Sequence, residues 1–161
     1  MSRRWVVDAS PLILLGKVAQ VGLLHELCDE LIVPEIVVRE VGAKTEGAAL
    51  VERLPSSPRT RIEAEVLIAP DLRAWDLGPG ESQVLALATL APGARAVLDD
   101  LEGRRCAQAM SIPIIGTLGV VLHAKRKGII PAARPIIKHL RGVGLYVSDW
   151  LIESALAHVG E

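Results

Sequence analysis

Apolar residues along the chain fall into short unbroken runs, separated by longer stretches with a helical period. The runs are Trp5-Val6-Val7, Leu31-Ile32-Val33, Val66-Leu67-Ile68-Ala69, Ala96-Val97-Leu98 and Ile112-Pro113-Ile114-Ile115. Each is apolar at successive positions rather than alternating, the pattern of a strand covered on both faces. Between them, Leu23, Leu24 and Leu27, then Val84, Leu85 and Ala88, recur at helical spacing. Leu118, Val121, Leu122 and Lys125, then Ile136, Ile137 and Leu140, do the same further on. The alternation predicts a mostly parallel sheet of about five strands with helices on both faces. From Thr45 to Arg61 the pattern weakens, and Pro55-Ser56-Ser57-Pro58 breaks a short helix. That stretch is expected to be a mobile loop inside one domain covering residues 1–161.

Composition narrows the class. At 161 residues, half of them hydrophobic and 23% charged, the chain suits one folded domain and excludes disordered and low-complexity classes. With no Phe, one Tyr and three Trp, the core must be aliphatic, and there are too few rings for a base-stacking sheet. Cys28 and Cys106 lie far apart, without the spacing of a disulfide scaffold or a cysteine zinc site, which points to a reducing compartment. No apolar run reaches the roughly 18–20 residues of a membrane span. Arg3-Arg4 precede an apolar stretch that Asp8 interrupts at once, so the start reads as a strand rather than a signal peptide. The expectation is a soluble cytoplasmic protein.

In parallel sheets of this kind, ligands sit beyond the carboxyl ends of the strands. The five runs end at Asp8, Pro34, Pro70, Asp99 and Gly116, so carboxylates stand at two of the five ends: Asp8, and the pair Asp99-Asp100. Either could simply cap the helix that follows. Two at equivalent ends favour a functional role. Glu40 lies in Pro34-Glu35-Ile36-Val37-Val38-Arg39-Glu40-Val41, where Glu35 and Arg39 have i, i+4 spacing for a solvent-side pair. Glu40 instead shares a stripe with Ile36, Val37 and Val41, a costly place for a charge without compensation. Glu81 opens a helix after Gly78-Pro79-Gly80, on the face of Val84, Leu85 and Ala88, although the helix dipole explains an acid there about as well.

Carboxylates gathered at one sheet edge repel one another unless a cation intervenes. Hard divalent ions take oxygen ligands, and Mg²⁺ or Mn²⁺ suits a few carboxylates plus waters. Such sites activate water for in-line displacement at phosphorus. Competing chemistries lack their residues. His25, His123, His139 and His158 form no HExxH pair, and the chain has no GxSxG elbow or Walker A loop.

Val6-Val7-Asp8-Ala9-Ser10-Pro11-Leu12 resembles the opening strand of PIN domains, the nuclease fold used by VapC-type toxins. The segment from Pro34 to Val41 resembles that family's second acidic element, with Glu40 at its acid. Leu77-Gly78-Pro79-Gly80-Glu81 and Val97-Leu98-Asp99-Asp100 resemble the third and fourth. Arg104-Arg105, Gly116-Thr117-Leu118-Gly119 and Ala124-Lys125-Arg126-Lys127-Gly128 resemble a largely uncharacterised prokaryotic PIN subgroup. The resemblance spans nearly the whole chain. It implies a three-layer α/β/α sandwich and Mg²⁺- or Mn²⁺-dependent endoribonuclease activity. The implied metal ligands are Asp8, Glu40, Glu81 and Asp99 or Asp100, with Asp99 the favoured neighbour. It also suggests a homodimer and, for a toxin, a cognate antitoxin. One departure is Glu81, where many PIN nucleases have Asp; the longer side chain can alter metal geometry.

Charge is segregated. Residues 1–102 carry ten basic and sixteen acidic groups, whereas residues 103–148 carry eight basic groups and no acid. The eight include Arg104, Arg105, Lys125, Arg126 and Lys127, expected to bind RNA phosphates, with Ser10 and Thr117 offering hydroxyls to the phosphate or to a metal-bound water. Ordinary helix capping explains Ser10 and Thr117 equally well. Because Lys125-Arg126-Lys127 closes a helix that starts beside the metal edge, it is expected to grip backbone away from the scissile bond. A non-catalytic nucleic-acid-binding or assembly module is the alternative to the ribonuclease.

Overall fold

The computed structural model describes residues 2–161. Strand β1 (Arg4–Val7) leads into α1 (Ala9–Lys17) and α2 (Gly22–Leu27). Next come β2 (Glu30–Pro34), α3 (Glu35–Gly42), α4 (Gly47–Arg53), a 3-10 turn at Leu54–Ser56 and β3 (Thr60–Glu63). The short α5 (Pro70–Arg73) and the longer α6 (Pro79–Leu90) precede β4 (Arg95–Val97), α7 (Leu101–Ala109) and β5 (Ile114–Ile115). Three helices complete the chain: α8 (Thr117–Arg126), α9 (Arg134–Gly142) and α10 (Asp149–Ala157).

The five strands form one parallel sheet in the order β3-β2-β1-β4-β5. Val6 pairs with Ile32 on one side and with Ala96 on the other, which places β1 at the centre. The core is aliphatic, as the missing Phe requires: Leu12, Leu15, Leu24, Leu31, Leu85, Leu98 and Ile137 are fully buried. Helix α6 packs against β1, β2 and β4 and touches α7, while α1, α2, α8 and α9 contact one another as a second group. This is the expected three-layer α/β/α sandwich. Among the described residues, no helix is long and apolar enough to cross a membrane.

Three local expectations are corrected. Val66-Leu67-Ile68-Ala69 forms no strand, and the third strand is instead Thr60–Glu63, polar and half exposed as suits a sheet edge. The backbone of Val66 finds its partners in a buried side-chain amide: Gln83 Nε2 donates to Val66 O at 2.9 Å, and Val66 N donates to Gln83 Oε1 at 3.0 Å. Residues 45–61 are not one loop, since they hold α4, the 3-10 turn and the start of β3. Arg39 pairs with Glu65 at 2.6 Å rather than with Glu35, because the segment after β3 passes over the exposed face of α3.

The chain adds β2 and β3 on one side of β1, then crosses to add β4 and β5 on the other. The sheet therefore changes direction between β1 and β4, and the crevice beyond their carboxyl ends is where such folds place ligands.

Candidate active site

Two carboxylates flank that crevice because each follows directly on a central strand. Asp8 leaves β1 in extended conformation, and its N–H donates to Val97 O at 2.9 Å, which locks the two strand ends together. Its side chain is buried at 5% exposure and caps no N–H beyond Ala9, the first residue of α1, so ordinary helix capping does not account for its burial. Asp99 follows Leu98, whose N–H donates to Ile115 O. Asp99 is fixed from the far side: Thr117 N–H donates to Oδ1 at 2.7 Å and Thr117 Oγ1 to Oδ2 at 2.6 Å. Ser10 Oγ adds a longer hydrogen bond of 3.4 Å to the same Oδ2. Asp100 turns to a different task, capping α7 by accepting from Gly103 N–H at 2.8 Å.

Helices α3 and α6 bring the glutamates. Glu81 stands in the first turn of α6, and its Oε2 accepts from Gly78 N–H at 2.9 Å, so it does serve the helix start. Glu40 reaches across from α3 to the same turn. A Cβ built on Gly80 would lie 2.6 Å from Glu40 Oε2 and 2.8 Å from Oε1, so only glycine leaves room for that carboxylate.

Crowded acids distort one another's titration. Burial pushes the Asp8 carboxyl up to about 7; the Ala9 N–H works the other way, and Glu81, Glu40 and Asp99 add to the rise. Glu81 is raised as well, mainly by burial, against the Gly78 N–H and with Asp100 and Glu40 contributing. Among the described residues, none of the ion pairs involves Asp8, Glu40, Glu81 or Asp99.

The donor set is oxygen only and negatively charged, and no ion pair among the described residues neutralises it, which fits a hard divalent ion. Among the described residues, no three His, Cys, Asp or Glu side chains close around one point. The fit is thus to Mg²⁺ or Mn²⁺ held by one or two carboxylates with waters completing the shell, rather than to an all-protein cage. Two adjoining clefts open on these acids. One, about 510 Å³, is lined by Asp8, Glu40 and Glu81 together with Lys17 and Tyr146. The other, about 350 Å³, is lined by Asp8, Glu81, Asp99, Asp100 and again Tyr146.

The remaining sequence candidates divide. Thr117 is fully buried with its hydroxyl committed to Asp99, so it positions that carboxylate and cannot itself reach a phosphate. Arg104 is exposed, and its Nη1 lies beside Gly116 at the Asp99 edge. Arg105 is taken by Glu102 at 2.7 Å. Lys125, Arg126 and Lys127 lie at or just beyond the far end of the ten-residue α8, about 15 Å along its axis from Thr117, with Lys125 Nζ bound to Pro131 O. The structure does not bring these three to the acids. Lys17 and Tyr146, both lining the larger cleft, escaped the sequence reading. Being the single tyrosine, in the loop between α9 and α10, was the one available signal for Tyr146.

Comparison with known proteins bears on the fold and the family. A solved structure, PAE2754 from Pyrobaculum aerophilum, is similar in fold at 17% identity, with a TM-score of 0.50 over 71% of this chain and 84% of that one. No curated protein matches the chain. The family described as DUF3368, PIN domain, matches residues 4–161, which includes every acid of the crevice. The chain belongs to the PIN-domain family.

Proposed function

We propose that this protein is a metal-dependent endoribonuclease that hydrolyses RNA phosphodiesters at a carboxylate-held Mg²⁺ or Mn²⁺. PIN domains are generally nucleases and typically use divalent metals. The observation that carries the reading is Asp8: a buried carboxylate with Glu40, Glu81 and Asp99 around it and no cation among its ion-pair partners. A fold keeps such an arrangement at a cost unless something positive occupies it in use.

One or two of Asp8, Glu40, Glu81 and Asp99 would hold the metal directly and the others would act through its waters, with Asp100 near enough to Glu81 to influence it. When bound, the ion supplies a nucleophilic water and neutralises charge developing on the phosphate. The chain's own contributions are distinct. Thr117 and Ser10 hold Asp99 in one orientation, Gly80 leaves space for Glu40, and Arg104 offers an exposed cation at the Asp99 edge for a phosphate. The resemblance to VapC-type toxins adds a narrower form: a cytoplasmic homodimeric toxin with a cognate antitoxin. A small neighbouring reading frame that neutralises toxicity on co-expression would support it.

The test is direct. Asp8→Asn and Glu40→Gln should each reduce divalent-dependent RNA cleavage by at least about 100-fold, given that the lost groups bear on the metal itself. Wild-type cleavage by Asp8→Asn, in protein free of contaminating nuclease, overturns the proposal. A second reading, a non-catalytic RNA-binding or assembly module, draws on the fact that no three acids among the described residues close on one point. It predicts RNA binding that is indifferent to divalent cations and no cleavage by the wild type.

A further inference from the structure

Tyr146 is the most exposed large hydrophobic side chain among the described residues, 97% accessible. It does not sit on a loose tail. The neighbouring Leu145 is buried, and its N–H donates to Leu140 O at 3.0 Å, so the loop between α9 and α10 is pinned beside the ring. Tyr146 lines both clefts that open on Asp8 and Glu81, with its ring left free. In the larger cleft, the wall between ring and acids is aliphatic, formed by Ile13, Leu14 and Val143. Lys17 lines it too, held only by the exposed carboxylate of Glu46 at 3.6 Å, a weak tie.

Acids, an apolar wall, a free aromatic face and a lightly held ammonium around about 510 Å³ match the parts and the size of one nucleotide. We propose that this cleft is a subsite for one unpaired nucleotide of the RNA, its base stacked on Tyr146 and a phosphate of the strand drawn to Lys17. The inference rests on the RNA-cleaving reading and adds to it a base contact apart from the metal acids, one that only an unpaired residue can make because a paired base has no free face to offer. Stacking of this kind is tolerant of base identity, so the subsite selects for an unpaired residue rather than for a sequence. Trp150 provides an internal contrast. It is also exposed, at 76%, yet lines neither cleft.

Binding is measured by fluorescence anisotropy with the full chain carrying Asp8→Asn, using a single-stranded RNA oligonucleotide and a set in which each residue in turn is abasic. Tyr146→Ala should weaken binding of the intact strand by roughly 5- to 100-fold, the range for loss of one base–aromatic stack. Tyr146→Phe should restore it, Trp150→Ala should leave it unchanged, and Lys17→Gln should weaken intact and abasic strands alike. At one abasic position the Tyr146→Ala loss should vanish, and duplex RNA should not sense the substitution at all. Equal losses on intact and abasic strands, or an equal loss from Trp150→Ala, overturn the subsite. Cleavage by the wild type with binding indifferent to Tyr146 defeats the subsite and leaves the nuclease standing. Tyr146-dependent binding without any cleavage does the reverse.

Discussion

Asp8 combines burial and crowding in a single side chain, and its titration should be visible in the stability of the whole protein. Its carboxyl ordinarily titrates near 3.8 and is held up to about 7 in the fold. Between those values the native state keeps a proton that the unfolded chain has released, so stability falls as pH rises from about 4 to about 7 and then levels. In protein stripped of divalent cations, Asp8→Asn should flatten that decline and raise stability at pH 8 by on the order of 1–4 kcal/mol. Denaturant titrations across pH check this; an unaltered slope in the variant would assign the decline to other groups. Gly80→Ala tests the neighbouring carboxylate by space alone. The new methyl group collides with the tip of Glu40 rather than with backbone, so stability should stay within about 1 kcal/mol of wild type while divalent-dependent cleavage drops. Unchanged cleavage would mean that Glu40 works equally well from another position. The acids themselves were legible in the sequence because each breaks an apolar pattern. Thr117 was not, since a hydroxyl at a helix start looks the same whether it faces solvent or, as here, a half-buried carboxylate.

At the level of elements, four of the five expected strands are present, the run at 112–115 contracted to Ile114–Ile115, and their ends bring Asp8 and Asp99 to one crevice. The exception is instructive. Val66-Leu67-Ile68-Ala69 has strand composition, but Leu67 is 96% exposed and the segment's backbone is satisfied by Gln83 from α6. A side-chain amide that mimics a neighbouring strand leaves no periodic trace, and the alternating, polar Thr60–Glu63 hid the true edge strand. Replacing Gln83 with Leu removes both mimicked bonds and strands the N–H and carbonyl of Val66 in a half-buried place. It should cost about 2–3 kcal/mol by urea denaturation, with protease cutting appearing first near residues 64–69. A loss below about 0.5 kcal/mol would show that water replaces the amide freely.

Across the whole molecule, the basic stretch from 103 to 148 is less of a block than its composition suggests. Arg105 is paired with Glu102, Arg134 with Glu153 and Arg141 with Asp149, which leaves Arg104 at the acidic edge, Lys125, Arg126 and Lys127 about 15 Å away, and Lys138 on α9. Sequence could not reveal this, because the neutralising acids on α10 come after the segment that they cover. Converting Lys125, Arg126 and Lys127 to Gln should flatten the salt dependence of RNA binding by roughly 0.7 log units for each phosphate no longer neutralised, with little effect on cleavage at saturating RNA. An unchanged slope would make the cluster a solvated helix end. The strand order has a consequence in time as well. The central β1 is made first, but its partner β4 lies about 90 residues later, with Val7 opposite Val97. At ordinary ribosomal rates of roughly 5–20 residues per second, Asp8 waits about 5–20 s before Asp99 exists to complete its crevice. During that interval the edge of β1 that pairs with β4 stays open and the acid cluster is not yet assembled.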